Sequence, residues 1–247
     1  MTTSVGANAA AWHDVECSSY AADLGLWIEL ADRHGGPILD VGCGTGRVAL
    51  DLAARGHEVV GVDADRSLVA ELNVRAAEKG LSARALPADA RSFDLQRRFS
   101  LALLPMQVVQ LLGGAAGRAA MMEAVTRHLA PHGVLAIALA DPFDAVPVGE
   151  ARPPLPDVIE IDGWVLSSTP VAVRDEGDAV AIDRLRQAVS PAGALTEELA
   201  TITLDNCPPE TLEEEARAMG LRPLPQRQVP PTPDYVGSTV VLLEGPV

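Results

Sequence analysis

The chain has 247 residues, a formal net charge of −15 and a pI near 4.6. That length suits one large α/β domain with a sizeable core. The acidic balance argues against nucleic acid, whose binding needs clustered Lys and Arg, and disfavours an anionic membrane surface.

A single lysine, Lys79, stands against eighteen arginines, which reads as genomic composition. Cys17, Cys43 and Cys207 are too widely spaced to suggest a metal site or a disulfide framework. Residues 1–8 lack a basic region followed by an apolar core, so no signal peptide is expected. The apolar run 101–112 is short and interrupted by Pro105, Gln107 and Gln110, which argues against a membrane span. The expected location is cytoplasmic.

Residues 9–34 have a helical pattern, with Trp12, Tyr20, Leu24, Trp27, Ile28 and Leu30 as large apolar positions, and Gly35-Gly36-Pro37 ends it. Residues 38–41 form the first expected strand and 47–55 the first crossover helix. A strand over 58–62 ends at Asp63. A helix over 67–79 is closed by Gly80. Strands follow over 83–86, ending near Asp89, and over 99–104. A helix over 116–129 stops at Pro131-His132-Gly133, and a fifth strand over 134–139 ends at Asp141. Alternating strands and helices imply βαβ units, a parallel sheet and right-handed crossovers.

The second half changes character. Residues 141–156 are rich in proline and acid and read as a loop or lid. Strands are expected over 158–161, 164–173, 179–189 and 194–204, with Gly163, Glu176-Gly177 and Pro191-Ala192-Gly193 as hairpin turns. A helix over 208–219 is capped by Gly220, and strands over 221–224 and 236–243 close the chain. The expected fold is α/β: a Rossmann-like, doubly wound, mainly parallel seven-stranded sheet with an antiparallel elaboration in the C-terminal half. The expected organisation is one domain over 1–247. Within it, 1–36 is a helical lid, 37–141 a cofactor-binding core, 142–206 an antiparallel insertion, and 207–247 the last helix and strands.

Residues 38–48 carry the most information. A short apolar strand with Asp40 near its end meets a turn with Gly42, Gly44 and Gly46, then a helix. The glycines are expected where a ligand approaches the backbone, and the helix start points N–H groups and a positive dipole end towards it. Cys43 within the turn reads as a small packing residue. A carboxylate at Asp40 repels a pyrophosphate and attracts an ammonium, which points to a nucleoside carrying an amino acid: S-adenosylmethionine. Arg47 stands where a nicotinamide fingerprint needs Gly or Ala. Asp63 and Asp89 end the next two strands. In an open α/β sheet, ligands bind beyond the carboxyl ends of the strands. Asp63 is spaced to accept both ribose hydroxyls. Asp89, with a neighbouring backbone N–H, can read an adenine edge.

These segments, with Val62-Asp63-Ala64-Asp65, Ala88-Asp89-Ala90-Arg91, the stretch 99–112 and the turn His128-Leu129-Ala130-Pro131, resemble class I S-adenosylmethionine-dependent methyltransferases. The resemblance covers residues 12–141 closely, and small-molecule enzymes are the nearest type. It implies that Asp40, Gly42, Cys43, Gly44 and Gly46 hold the methionine end, that Asp63 and Ala64 lie at the ribose, and that Asp89 and Ala90 lie at the adenine. Leu104, Pro105 and Met106 would lie under the sulfonium. The chain departs from the family in His132-Gly133, where paired glycines are common, and in Pro105-Met106-Gln107, where a polar or aromatic residue often touches the acceptor.

Trp12 and Tyr20 are expected to form a lid over the cofactor, since flat rings attract a sulfonium; Trp27 is expected to pack the helix on the sheet. Candidates on the catalytic side are His13, Gln110 and Asp141. His34, His57, His128 and His132 are read as structural, and Glu213-Glu214-Glu215 as a solvated helix start. The expected partner is a small-molecule methyl acceptor, with no metal, nucleic acid or membrane, in a monomer or homodimer. The rival readings are a non-catalytic S-adenosylmethionine-binding protein and a nicotinamide-dependent oxidoreductase.

Overall fold

The computed structural model describes residues 8–140 and 155–246. Two sheets organise them. The larger has seven strands: β1 (Ile38–Val41), β2 (Val59–Asp63), β3 (Ala83–Pro87), β4 (Phe99–Leu104), β5 (Leu129–Leu139), β10 (Arg222–Val229) and β11 (Ser238–Glu244). Their spatial order is β10-β11-β5-β4-β1-β2-β3. The pairs β1–β2, β1–β4, β2–β3 and β4–β5 are parallel, and β11 runs antiparallel to both β5 and β10. The chain order reverses beside β1, between β4 and β2, which is where such sheets bind ligands.

Both faces of the central strands are apolar because both are covered. Leu39, Val41, Leu104 and Ile137 face one core with Met121 and Met122 of α5 (Gly114–His128) and Leu212 of α6 (Pro209–Ala218). Ile38, Leu101, Leu103 and Ala136 face the other, with Trp27 and Leu30 of α2 (Leu24–His34), Leu52 of α3 (Arg47–Ala54) and Leu72 of α4 (Arg66–Glu78). Trp27 is fully buried there, in the packing role expected of it. The period of two along β1 puts Asp40 on the same side as Ile38, under α2 and α3. Pro223 and Pro225 lie in β10, an edge strand, where a missing N–H is tolerated. Pro131 to Gly133 form an irregularity near the start of β5, with His132 at φ +60°. Regular pairing resumes at Val134, where the strand was expected to begin.

The second sheet is the antiparallel meander β6 (Asp157–Ile161), β7 (Trp164–Asp175), β8 (Ala179–Val189) and β9 (Leu195–Asp205). Its boundaries follow the glycine turns closely.

One expectation fails. Residues 9–34 are two helices, α1 (Ala9–Cys17) and α2, rather than one. The Ser18 hydroxyl donates to the Asp14 carbonyl, a local bond that competes with helix continuation. Arg47 then holds the segment between the helices by donating to the Tyr20 carbonyl and to Asp23. The break frees α1 to leave the main sheet. Its Ala11, Trp12 and Val15 pack on Leu166 and Ala188 of the meander. α1 therefore bridges the two sheets above the glycine turn.

Candidate functional site

A cavity of about 880 Å³ opens beyond the carboxyl ends of the parallel strands. Such a volume suits a nucleoside cofactor together with part of a second small molecule. Of the residues proposed at the cofactor, Asp40, Gly42, Cys43, Asp63, Ala64, Asp89, Ala90, Pro105 and Met106 line it, and so does the catalytic candidate His13. Four of the proposed cofactor residues do not. Gly44 and Gly46 lie just behind the wall, Leu104 is fully buried in the core, and Tyr20 lies beneath Arg47 with its ring centroid 5.2 Å from that guanidinium. Tyr20 thus braces the floor, and of the two proposed lid residues only Trp12 reaches the cavity.

Asp40 is 1% exposed, and its Oδ1 finds no hydrogen-bond donor among the described residues. Burial pushes its carboxyl up to about 7, against the opposing pull of Arg47. A buried, unpaired carboxylate oxygen is costly unless something cationic completes it. The α-ammonium of S-adenosylmethionine is such a group, so the residues present fit that cofactor.

Asp63 ties the site together. Its Oδ2 accepts from the Gly44 N–H at 2.9 Å and its Oδ1 from the Asp65 N–H at 2.9 Å. The carboxylate thereby links the end of β2 to the glycine turn and keeps lone pairs for a ligand. Asp89 is held by Arg91 through the backbone N–H at 2.8 Å and the guanidinium at 2.6 Å. Those hydrogen bonds draw its pKa down to about 2. Arg91, unforeseen as a site residue, lines the cavity beside it.

The glycines of the turn were expected to admit a ligand, but the space beside each is taken by the protein. A Cβ on Gly42 would lie 2.6 Å from Val108, one on Gly44 2.3 Å from His13, and one on Gly46 2.8 Å from Leu50. Cys43 packs as expected, with its Sγ filling the space that a Cβ on Gly61 would take. The turn is therefore clamped from outside by α1 and by the 3-10 turn Val108–Leu111. Gly44 also has φ +54°. Gly44→Ala should lower the thermal midpoint through both the clash and the left-handed backbone, with a cost of about 1–3 kcal/mol. An unchanged midpoint in a thermal melt would contradict the clamp.

Gln110 corrects another expectation. Its Oε1 accepts from the Ala140 N–H, and its Nε2 donates to the Ala140 and Asp205 carbonyls. The carboxamide is spent tying the ends of β5 and β9 to the 3-10 turn, and it does not line the cavity. Asp141, the third catalytic candidate, lies outside the described residues. Met106 has φ +57°, an uncommon conformation for a side-chain-bearing residue, at the cavity edge after β4.

The outer wall was illegible in the sequence. Glu16 of α1 receives Arg186 through two bonds of 2.7 and 2.8 Å, and Ser168 at 2.8 Å. Burial opposes its charge, but the hydrogen bonds from Arg186 and Ser168 prevail and hold its pKa below the ordinary value. Arg184 bonds Asp157 at 2.6 Å, and Tyr235 reaches Asp157 at 3.0 Å. These partners are up to 170 residues apart in sequence. Ile182, Ile202 and Leu204 supply an apolar strip beside them.

Among the described residues, no group of three His, Cys, Asp or Glu is placed to hold a metal ion, and no helix is long and apolar enough to cross a membrane.

Residues 38–133 match the family model for a methyltransferase domain. Over 127 residues the chain is 29% identical to the cypemycin N-terminal methyltransferase of a Streptomyces species, a match spanning 51% of this chain and 51% of that protein. The matched part is thus about half the length of this curated relative. Among solved structures, the sugar N-methyltransferase KedS8 of a Streptoalloteichus species superposes with a TM-score of 0.74 at 21% identity, over 96% of this chain and 92% of that one. The amino pentose methyltransferase CalS10 of Micromonospora echinaspora gives a TM-score of 0.67 at 23% identity, covering 94% of each chain. The family match, the strand order and the acids at the ends of β1 and β2 converge: residues 38–133 match a methyltransferase domain, and the described chain shares its fold with S-adenosylmethionine-dependent methyltransferases.

Proposed function

We propose that this chain transfers the methyl group of S-adenosylmethionine to an amine on a small, polar acceptor such as an amino sugar, by in-line displacement. The observation that carries the cofactor half is the unpaired, buried Oδ1 of Asp40 on the cavity wall. Asp40 would take the ammonium, Asp63 the ribose hydroxyls, and Asp89 with the Ala90 N–H the adenine. Bound there, the cofactor supplies an electrophilic sulfonium methyl. The chain supplies position, and positioning accounts for much of the rate in such a displacement.

The acceptor half rests on the outer wall. Glu16, Asp157 and Glu198 outnumber Arg184 and Arg186 at the cavity, which favours a cationic or hydroxyl-rich acceptor over an anionic one. The named activities of KedS8, CalS10 and the cypemycin enzyme, methyl transfer to a sugar nitrogen, to an amino pentose and at an N-terminus, support an amine. The four-stranded sheet, with α1, would flank that acceptor.

Titration calorimetry with S-adenosylmethionine, S-adenosylhomocysteine and NAD tests the cofactor. Binding of NAD alone would overturn the reading. Incubation with S-adenosylmethionine and a panel of amino sugars and simple amines, followed by mass spectrometry, tests the acceptor. Methylation of alcohols but no amine would overturn that half.

Asp63→Asn tests the ribose role: its amide oxygen can still accept the Gly44 N–H, at the expense of the bond from the Asp65 N–H, and the charge facing the ribose is gone. It should weaken S-adenosylhomocysteine by about 1–3 kcal/mol, the scale of a hydrogen bond to a charged group. Unchanged calorimetric affinity would remove Asp63 from the ribose.

A further inference from the structure

Thr45 sits between two residues of α1. Its Oγ1 lies 2.6 Å from Asp14 Oδ1 and 3.2 Å from His13 Nδ1. A threonine hydroxyl has one proton to give. Asp14 is paired with Arg75, which bonds both of its carboxylate oxygens, and can only accept. The Thr45 proton therefore goes to Asp14. The contact to His13 then requires a proton on the ring, at Nδ1. In the neutral imidazole that leaves Nε2 with a bare lone pair.

The ring is neutral for a physical reason. Burial pulls its pKa below 6.5 and outweighs the opposing fields of Asp14, Asp63 and Glu16, while Arg47 adds to the lowering. Arg75 and Asp65 are the other charges packed nearby.

Nε2 lies against Gly44, 2.3 Å from where a Cβ would stand. The Gly44 N–H is held by Asp63 Oδ2. His13 Nε2 and the Asp63 carboxylate thus flank the same glycine, and both residues line the cavity. Two acceptors side by side suit a ligand that brings two adjacent donors, and a ribose brings a vicinal pair of hydroxyls.

We infer that His13 is a cofactor-binding residue: its Nε2, bared by the Asp14–Thr45 pair, accepts a hydrogen bond from a ribose hydroxyl of the bound nucleoside beside Asp63. This rests on the S-adenosylmethionine reading above. It replaces the expectation of His13 as a catalytic candidate with a role on the cofactor side. It also explains why α1 must sit on Gly44: the helix delivers a ligand-binding atom to a position that has no side chain of its own.

The test is a cycle between protein and ligand. Adenosine, 2′-deoxyadenosine and 3′-deoxyadenosine are titrated into wild type and His13→Phe, which keeps a ring but loses the acceptor. In wild type, removal of one particular hydroxyl should weaken binding about tenfold. In the variant, adenosine should already be weakened about tenfold, and removal of that same hydroxyl should cost nothing further. Equal penalties for each deoxy ligand in both proteins overturn the inference. If wild type binds neither adenosine nor S-adenosylhomocysteine, the cofactor reading fails and takes this with it. Nitrogen-15 shifts of His13 in the wild-type protein give a second readout that needs no variant. The Nδ1–H tautomer, with the Nε2 resonance moving on adenosine addition, is expected, and an Nε2–H tautomer overturns the proposal.

Discussion

Asp40→Asn will stabilise the ligand-free protein at pH 8 and weaken S-adenosylmethionine binding at the same time. The two effects share one cause. In the folded chain Asp40 titrates near 7, against 3.8 for an unperturbed carboxyl, because burial disfavours its charge. Between those values the folded state keeps a proton that the unfolded state has lost. Stability from this group is therefore full below pH 4, falls as pH rises towards 7, and is flat above. The whole span amounts to about 4 kcal/mol at ~1.4 kcal/mol per pH unit. Asparagine has no such slope. An unsatisfied buried amide costs about 1–3 kcal/mol in return, so a net gain of roughly 1–3 kcal/mol remains at pH 8, worth several degrees in a chain of this size. Binding moves the other way. Loss of the carboxylate facing the ammonium should cost roughly 1.5–3 kcal/mol, or about 10- to 100-fold in affinity. Adenosine has no ammonium and should be affected far less. In wild type, the affinity for S-adenosylmethionine relative to adenosine should rise about fivefold between pH 6 and 7 and level off by about pH 8. Thermal melts across pH and paired calorimetric titrations check both halves. Equal losses for the two ligands would contradict the ammonium role.

Arg47→Met should cost about 3–5 kcal/mol, a large share of the total stability of a domain. The Arg47 side chain is 9% exposed and that of Asp23 is 2%. They meet through two bonds of 2.6 and 2.7 Å, Arg47 also reaches the Tyr20 carbonyl, and the indole N–H of Trp27 donates to Asp23 at 2.8 Å. Removing the guanidinium leaves a buried carboxylate with one donor. The cost is that of a stranded charge rather than the net worth of the pair. Asp23→Asn in the same chain should recover much of it, since the amide oxygen can still accept from Trp27. A double-mutant cycle by chemical denaturation should show coupling above about 1 kcal/mol, and strict additivity would contradict the account. Arg47 also lowers the Asp40 pKa. In Arg47→Met the pH at which S-adenosylmethionine gains over adenosine should therefore move above 7.

Local signals carried much of the fold. The meander strands begin and end at the expected glycine turns, and Pro131 to Gly133 postpone regular pairing in β5 to Val134. The missed break between α1 and α2 has a clear reason. The Ser18 hydroxyl competes locally at the end of α1, and what holds the segment after it out of a continuous helix is a bond from Arg47, in a distant element, to the Tyr20 carbonyl. The glycines were recognised as needed, but for a ligand. Their neighbours Val108, His13 and Leu50 come from elements whose position above the turn no spacing rule supplies. Gln110 looked available at a strand end until three backbone groups claimed it.

By itself, the sequence determined which cofactor the turn suits. An acid before the glycines, acids at the following strand ends and Arg47 after them are short-range facts, set by strand period and turn chemistry. Only the tertiary structure decided what those residues have left to offer. Whether a carboxylate oxygen is paired, which nitrogen of His13 is bare, and how Glu16 meets Arg186 depend on side chains brought together by burial from far along the chain. Hydrogen-bond capacity is spent locally or kept for a ligand only once that packing is complete.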